Sequence, residues 1–165
     1  MLKTLFEQGM TFEDFMNLEN GKHKDIMKSF SSIDAISKEL KDQILKVEKK
    51  IKILVFGEVL CPDCVINVSA LEKLHLVNNK VEFMIVGRDG NEDTIKIYGD
   101  KDKSYIPTFV IMDEEYNVLG NFIERPISIK KLSDEKDQVK RILMMKNYRK
   151  GEYIDETIWE ILKKI

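Results

Sequence analysis

Residues Ile51-Lys52-Ile53-Leu54-Val55-Phe56-Gly57 form a short, nearly continuous apolar run. Such a run suits a strand buried on both faces, which demands a parallel or mixed sheet with a layer on each side. Beyond it, Val65, Val68, Ala70, Leu71 and Leu74 recur at helical spacing. The motif Cys61-Pro62-Asp63-Cys64 therefore falls where a buried strand hands over to a helix. Pro62 fits the first helical position, where its missing N–H costs nothing.

The rest of the pattern agrees with an α/β chain. Val81–Val86 and Pro107–Met112 read as two more buried strands, and residues 91–100 as a short polar helix or turn. Asp113–Asn117 reads as a turn, with Val118–Ile123 as its hairpin partner. Alternating strands and helices closed by a hairpin predict a mixed sheet flanked by helices. Residues 1–50 read as helical, with a capping box at Thr11-Phe12-Glu13-Asp14 and a helix start at Ser31-Ser32-Ile33-Asp34. Ile36, Leu40, Ile44 and Val47 would line one helix face, and such stripes ordinarily mean core packing. From Ser133 the chain reads as helical again, with a break near Gly151. Residues 1–33 are thus expected to form a helical extension, and residues 34–165 the α/β domain with extended C-terminal helices.

Bulk properties narrow the function classes. The chain has 165 residues, 34% of them charged, with a net charge of −2. That balance argues against a nucleic-acid face, which needs a basic excess. No apolar run reaches membrane-spanning length. The N-terminus turns polar too early for a secretory signal, so the cytoplasm is the expected compartment. In a reducing compartment two cysteines are more often reactive or metal-binding than a structural disulfide.

A helix N-terminus offers unpaired N–H groups and the positive end of the helix dipole. Both stabilise a thiolate, so Cys61 is expected to have a lowered pKa. Cys64, one turn on, would be the buried resolving thiol. Other readings of the pair are half of a zinc site or an inert core pair. A structural zinc site needs four ligands, and His23 and His75 are the only histidines. His75 lies eleven residues beyond Cys64 on the same helix, about 16 Å away, too far to close a site in one chain.

These residues, together with Ile106-Pro107-Thr108 located 43 residues beyond Cys64 to the proline, resemble the thioredoxin superfamily. The resemblance runs from about Ile36 to Glu124, plus a C-terminal helix. It implies a thioredoxin-like mixed sheet with extra N-terminal helices. It also implies a cis Pro107 packed against the dithiol, with the Ile106 backbone turned outward to pair with substrate. Cys61, Cys64 and Pro107 would be catalytic. Pro62, Asp63, Ile106 and Thr108 would frame the substrate.

The sequence also departs from typical thioredoxins. Leu60 replaces the usual tryptophan before the first cysteine, and Pro-Asp replaces Gly-Pro between the two. The buried acid of the central strand aligns with Val55, and its lysine partner with Ile85. The usual proton acceptor is therefore missing, and Glu58 becomes the candidate substitute. Asp63 is expected to oppose the helix dipole and keep the Cys61 pKa from falling far, giving a reductant-like poise.

The expected activity is thiol–disulfide exchange with disulfide-containing proteins or small thiols. Electrons would come from a reductase or a low-molecular-weight thiol, and no cofactor is required. The alternative is a binding module that uses the dithiol to hold a metal or cluster, or to dock a partner, without turnover.

Overall fold

The computed structural model describes residues 1–165. Its centre is a four-stranded sheet in the order β2-β1-β3-β4. The strands are β1 (Ile51–Phe56), β2 (Val81–Val86), β3 (Thr108–Met112) and β4 (Val118–Ile123). β1 runs parallel to β2 and antiparallel to β3, and β3 pairs antiparallel with β4. The sheet is mixed, one of the two arrangements that suit the apolar run at Ile51–Gly57.

Alternation along β1 divides the core. Ile53 and Val55 face a large cluster containing the helix that follows β1, whereas Leu54 and Phe56 face a smaller one on the other side. All four are fully buried. On the first side lie α5 (Pro62–Val77), α9 (Ile154–Leu162), α2 (Phe12–Gly21), α3 (Lys24–Phe30) and α4 (Lys38–Leu45). On the other lie α1 (Leu2–Gln8) and α6 (Glu92–Tyr98). The remaining elements are α7 (Ile127–Lys130), a 3-10 turn at Lys131–Asp134, and α8 (Gln138–Arg149).

The first 33 residues contribute to both cores. Leu2 and Phe6 pack against Leu54 and Phe56, while Phe12, Phe15, Met16 and Met27 join the cluster around α5. Between α1 and α2, Met10 forms an antiparallel bridge with Ile85, covering part of the outer edge of β2. An edge strand with unpaired backbone groups invites pairing with other chains, and this bridge blunts that tendency.

Local signals explain several helix boundaries. Thr11 and Asp14 form the reciprocal capping box at α2. The expected start at Ser31–Asp34 is not where the next helix begins. Ser32 instead bonds the Asp34 carboxylate at 3.0 Å in a local turn, and Ser37 caps α4 by accepting from Leu40 N–H. Short polar side chains compete in this way between turn and cap. Gly151, at φ +83°, separates α8 from α9.

α5 is enclosed on nearly every side, so even its polar residues are buried and must find partners. Asn67 and Ser69 are fully buried, and Lys73 is 7% exposed. Lys73 reaches Asp155 of α9 at 2.7 Å, and Ser69 donates to the Val65 carbonyl. At the C-terminal end of α5, Asn78 donates to the Ile44 and Val47 carbonyls and so satisfies the end of α4.

Because Phe15 of the extension is fully buried, Phe15→Ala is expected to cost about 3–5 kcal/mol of stability, the range for truncating a core phenylalanine. Leu18→Ala, at a 40% exposed position, is expected to change it by about 0.5 kcal/mol or less. Urea unfolding of the two variants checks the difference.

Candidate active site

β1 ends at Phe56, and the turn through Gly57–Leu60 delivers Cys61 to the N-cap of α5, with Pro62 as the first helical residue. Gly57 allows this turn to pass close to the helix. A Cβ there would lie 3.3 Å from the Cys64 sulfur, a contact that would push the strand end and the helix apart. Cys61 is half-buried and Cys64 fully buried, and both are free thiols. The two sulfurs thus differ in access.

The sulfurs have opposed electrostatics. Cys61 is pulled down to about 7, chiefly by a hydrogen bond from the Cys64 thiol to its thiolate. Desolvation works against this, while the backbone N–H groups of Cys64 and Asp63, at the helix start, work for it. Cys64 is pushed well above the ordinary thiol value, first by burial and then by serving as that donor. Its sulfur also accepts from the Glu58 backbone N–H at 3.4 Å. One thiol is thus readily ionised, and the other keeps its proton.

The Ile106–Pro107 peptide is cis. In its thiol form Cys61 donates to the Ile106 carbonyl at 3.7 Å, so the proline segment lies beside this sulfur. Pro107 is buried and Ile106 half-buried. Thr108 is fully buried, and its hydroxyl donates to the Tyr105 carbonyl at 2.8 Å. It holds the loop rather than facing solvent. Pro62 is exposed beside Cys61.

Glu58 comes to Cys64 through its backbone amide, and its carboxylate makes no hydrogen bond. Val55 and Ile85 are register partners across β1 and β2 and are fully buried. Two apolar residues therefore occupy the positions where the resemblance expects an acid and a lysine.

Asp63 is placed differently from expectation. It was expected to face the substrate and set its charge against the dipole. It is 6% exposed and turned into the protein. Arg125 grips it with two bonds, Nε to Oδ1 at 3.1 Å and Nη2 to Oδ2 at 3.0 Å. Arg149 Nη1 and the Tyr148 hydroxyl each donate to Oδ1 at 2.9 Å. Its effect on Cys61 is still to raise the pKa, but smaller than that of the Cys64 hydrogen bond. Behind it, Asn67 donates to the Tyr148 oxygen and to the Glu124 carbonyl, and Thr157 donates to Asn67.

Arg125, Arg149, Tyr148 and Asn67 are absent from the sequence reading. The arginines lie 62 and 86 residues from Asp63, and no local spacing links them to it. A cleft of about 440 Å³ opens beside Cys61. Asp63, Ile106, Tyr105 and Glu124 line it together with Arg88, Lys96 and Lys103, so Asp63 touches the cleft even with its carboxylate turned inward, and no residue of 1–33 lines it. The N-terminal helices cover apolar sheet and do not shape this cleft.

Removing the Asp63 carboxylate would leave two guanidinium groups and a buried phenol without their acceptor. Asp63→Ala is expected to cost about 3 kcal/mol, near the lower end for a broken buried pair because both arginines reach solvent. Exposed Pro62→Ala is expected to cost far less, and denaturant titration of the two variants measures the gap.

Comparison with known proteins agrees with this fold. A crystal structure of a Pseudomonas aeruginosa protein of unknown function superposes with a TM-score of 0.84 at 26% identity, covering 97% of this chain and 93% of that one. An HIV epitope-scaffold superposes with a TM-score of 0.83 at 24% identity over 98% of this chain and 95% of that one, a likeness of fold alone. A search of curated proteins gives no match. The thioredoxin family profile matches residues 9–140. With its mixed sheet and a close cysteine pair at a helix start, the chain belongs to the thioredoxin family.

Proposed function

We propose that this protein is a thiol–disulfide oxidoreductase in which Cys61 is the nucleophile and Cys64 the resolving thiol. The observation that carries the reading is the asymmetry of the pair. The accessible sulfur ionises near neutral pH, and its buried partner holds a proton.

The Cys61 thiolate attacks one sulfur of a substrate disulfide. The substrate S–S bond breaks as the Cys61–substrate bond forms, and the departing thiolate takes a proton from solvent. Cys64 then loses its proton and attacks the Cys61 sulfur. This releases the second substrate thiol and leaves a Cys61–Cys64 disulfide. Two electrons have moved from the protein to the substrate. A reductase or low-molecular-weight thiol must return them. Once Cys61 is bonded to substrate, its negative charge no longer opposes ionisation of Cys64, which removes one of the influences that hold that proton. Pro107 and Ile106 frame the attacking sulfur, and the cleft beside Cys61 would receive the substrate.

In the alternative reading, the dithiol holds a metal. No group of three or more His, Cys, Asp or Glu side chains gathers in a metal-binding arrangement. His75 is engaged with the Val81 carbonyl at 2.7 Å. A metal on Cys61 and Cys64 would need ligands from a second chain, and nothing in the site favours that over exchange.

Cys64→Ser should trap mixed disulfides through Cys61, detected by non-reducing electrophoresis and mass spectrometry. No trapped adduct, combined with stoichiometric zinc or iron in the purified wild type, would sink the reading. The pH dependence gives a second check. Cys61 alkylation should rise with pH to a half-maximum at about 7 and level off above it, because only the thiolate reacts. Cys64→Ala removes the S–H donor that stabilises this thiolate. The midpoint should therefore move up toward the free-thiol value of about 8.5.

A further inference from the structure

The residue between the cysteines carries a charge of the wrong sign for a thiolate site. A carboxylate beside Cys61 favours the thiol, because like charges disfavour each other's ionised forms. Asp63 does act on both sulfurs in that direction. Yet its carboxylate takes four hydrogen bonds, three from guanidinium nitrogens and one from a buried phenol. Two full positive charges face one negative charge. The bidentate grip of Arg125 also fixes the plane of the carboxylate.

The donors come from outside the dithiol motif and its helix. Arg125 follows β4, while Tyr148 and Arg149 end α8. Their side chains converge on a single residue in the first turn of α5. Tyr148 is fully buried, and it is itself held by Asn67, which Thr157 of α9 fixes in turn. The first turn of the active-site helix is thus clamped at Asp63 by three side chains from two segments, the chain just after β4 and the end of α8.

We propose that Arg125, Arg149 and Tyr148 are positioning residues for disulfide exchange, which cancel the charge of Asp63 and fix the first turn of α5 so that Cys61 persists as an accessible thiolate. This rests on the oxidoreductase reading of the site and assigns redox tuning to residues beyond the Cys-Pro-Asp-Cys motif. The other charged or titratable groups near the sulfurs are Glu58, on the turn before the motif, and the cleft residues Arg88, Lys96, Asp102, Lys103, Tyr105 and Glu124. The cleft's cations and anions are mixed, and none of these groups bonds either sulfur through its side chain.

The test is the pH profile of Cys61 alkylation in the full-length reduced protein. Arg125→Met and Arg149→Met should each move the midpoint upward. The rate at pH 7 should fall by roughly threefold in each single variant and by up to about tenfold in the Arg125→Met/Arg149→Met double variant, which leaves the Asp63 charge without either guanidinium. Arg149→Lys, which keeps the charge, should stay near wild type. Adding Asp63→Asn to either Met variant should bring the midpoint back, since the charge being cancelled is then gone.

A wild-type midpoint in folded Arg125→Met and Arg149→Met proteins would overturn the proposal. So would an upward shift that survives Asp63→Asn. A purely structural role would lower the melting temperature and leave the profile in place. Should the arginine variants fail to fold, Tyr148→Phe removes one hydroxyl with little change in volume, and an unmoved midpoint there would also count against the clamp. Alkylation does not require turnover. Failure of Cys64→Ser to trap a substrate would therefore remove the oxidoreductase reading and leave this measurement to be judged by itself.

Discussion

Burial of β1 on both faces is the constraint on which the rest of the molecule depends. A strand with Ile53 and Val55 on one side and Leu54 and Phe56 on the other cannot be solvated on either. It needs strands at both edges and helices above and below. The sheet order places it between β2 and β3, and α5 and α1 cover its two faces. With β1 fixed, the chain leaving it has one place to go, and Cys61 arrives at the start of a helix whose own body is enclosed.

That enclosure makes the chemistry local. The Cys64 thiol is too deeply buried to ionise readily, so it serves its neighbour as a hydrogen-bond donor. The helix start supplies further N–H groups to the same sulfur. Val55 and Ile85, where the resemblance expects an acid and a lysine, are apolar, fully buried and part of the same core cluster as Cys64. The polar machinery of this protein has instead moved to the flank, where Asp63, Arg125, Arg149, Tyr148 and Asn67 form one connected network.

The sequence was legible where the signal is periodic or short-range. The buried strand, the proline at the first helical position, the capping box at Thr11 and the hairpin at Asp113–Asn117 are all local patterns, and the structure contains each of them. The site's outline was legible for the same reason, since Cys61 and Cys64 are one turn apart and Ile106-Pro107-Thr108 is a contiguous motif. The orientation of Asp63 was not. A residue in a helix's first turn faces inward or outward according to what meets it, and its partners lie 62 to 86 residues later. No local pattern ties Arg125 or Arg149 to Asp63, nor Lys73 to Asp155 of α9, 82 residues later. The expected helix start at Ser31–Asp34 is taken up by the turn that Ser32 and Asp34 make together, and the cap falls at Ser37 instead.

The distance along the chain between Asp63 and its clamp also orders the protein's assembly. A ribosome makes both cysteines well before it makes Tyr148 and Arg149. Until the last two helices dock, the first turn of α5 lacks two of its three holding side chains, and the acid between the sulfurs keeps only the guanidinium of Arg125. The dithiol is thus present as sequence early in synthesis and complete as a site only once α8 has been made and has docked.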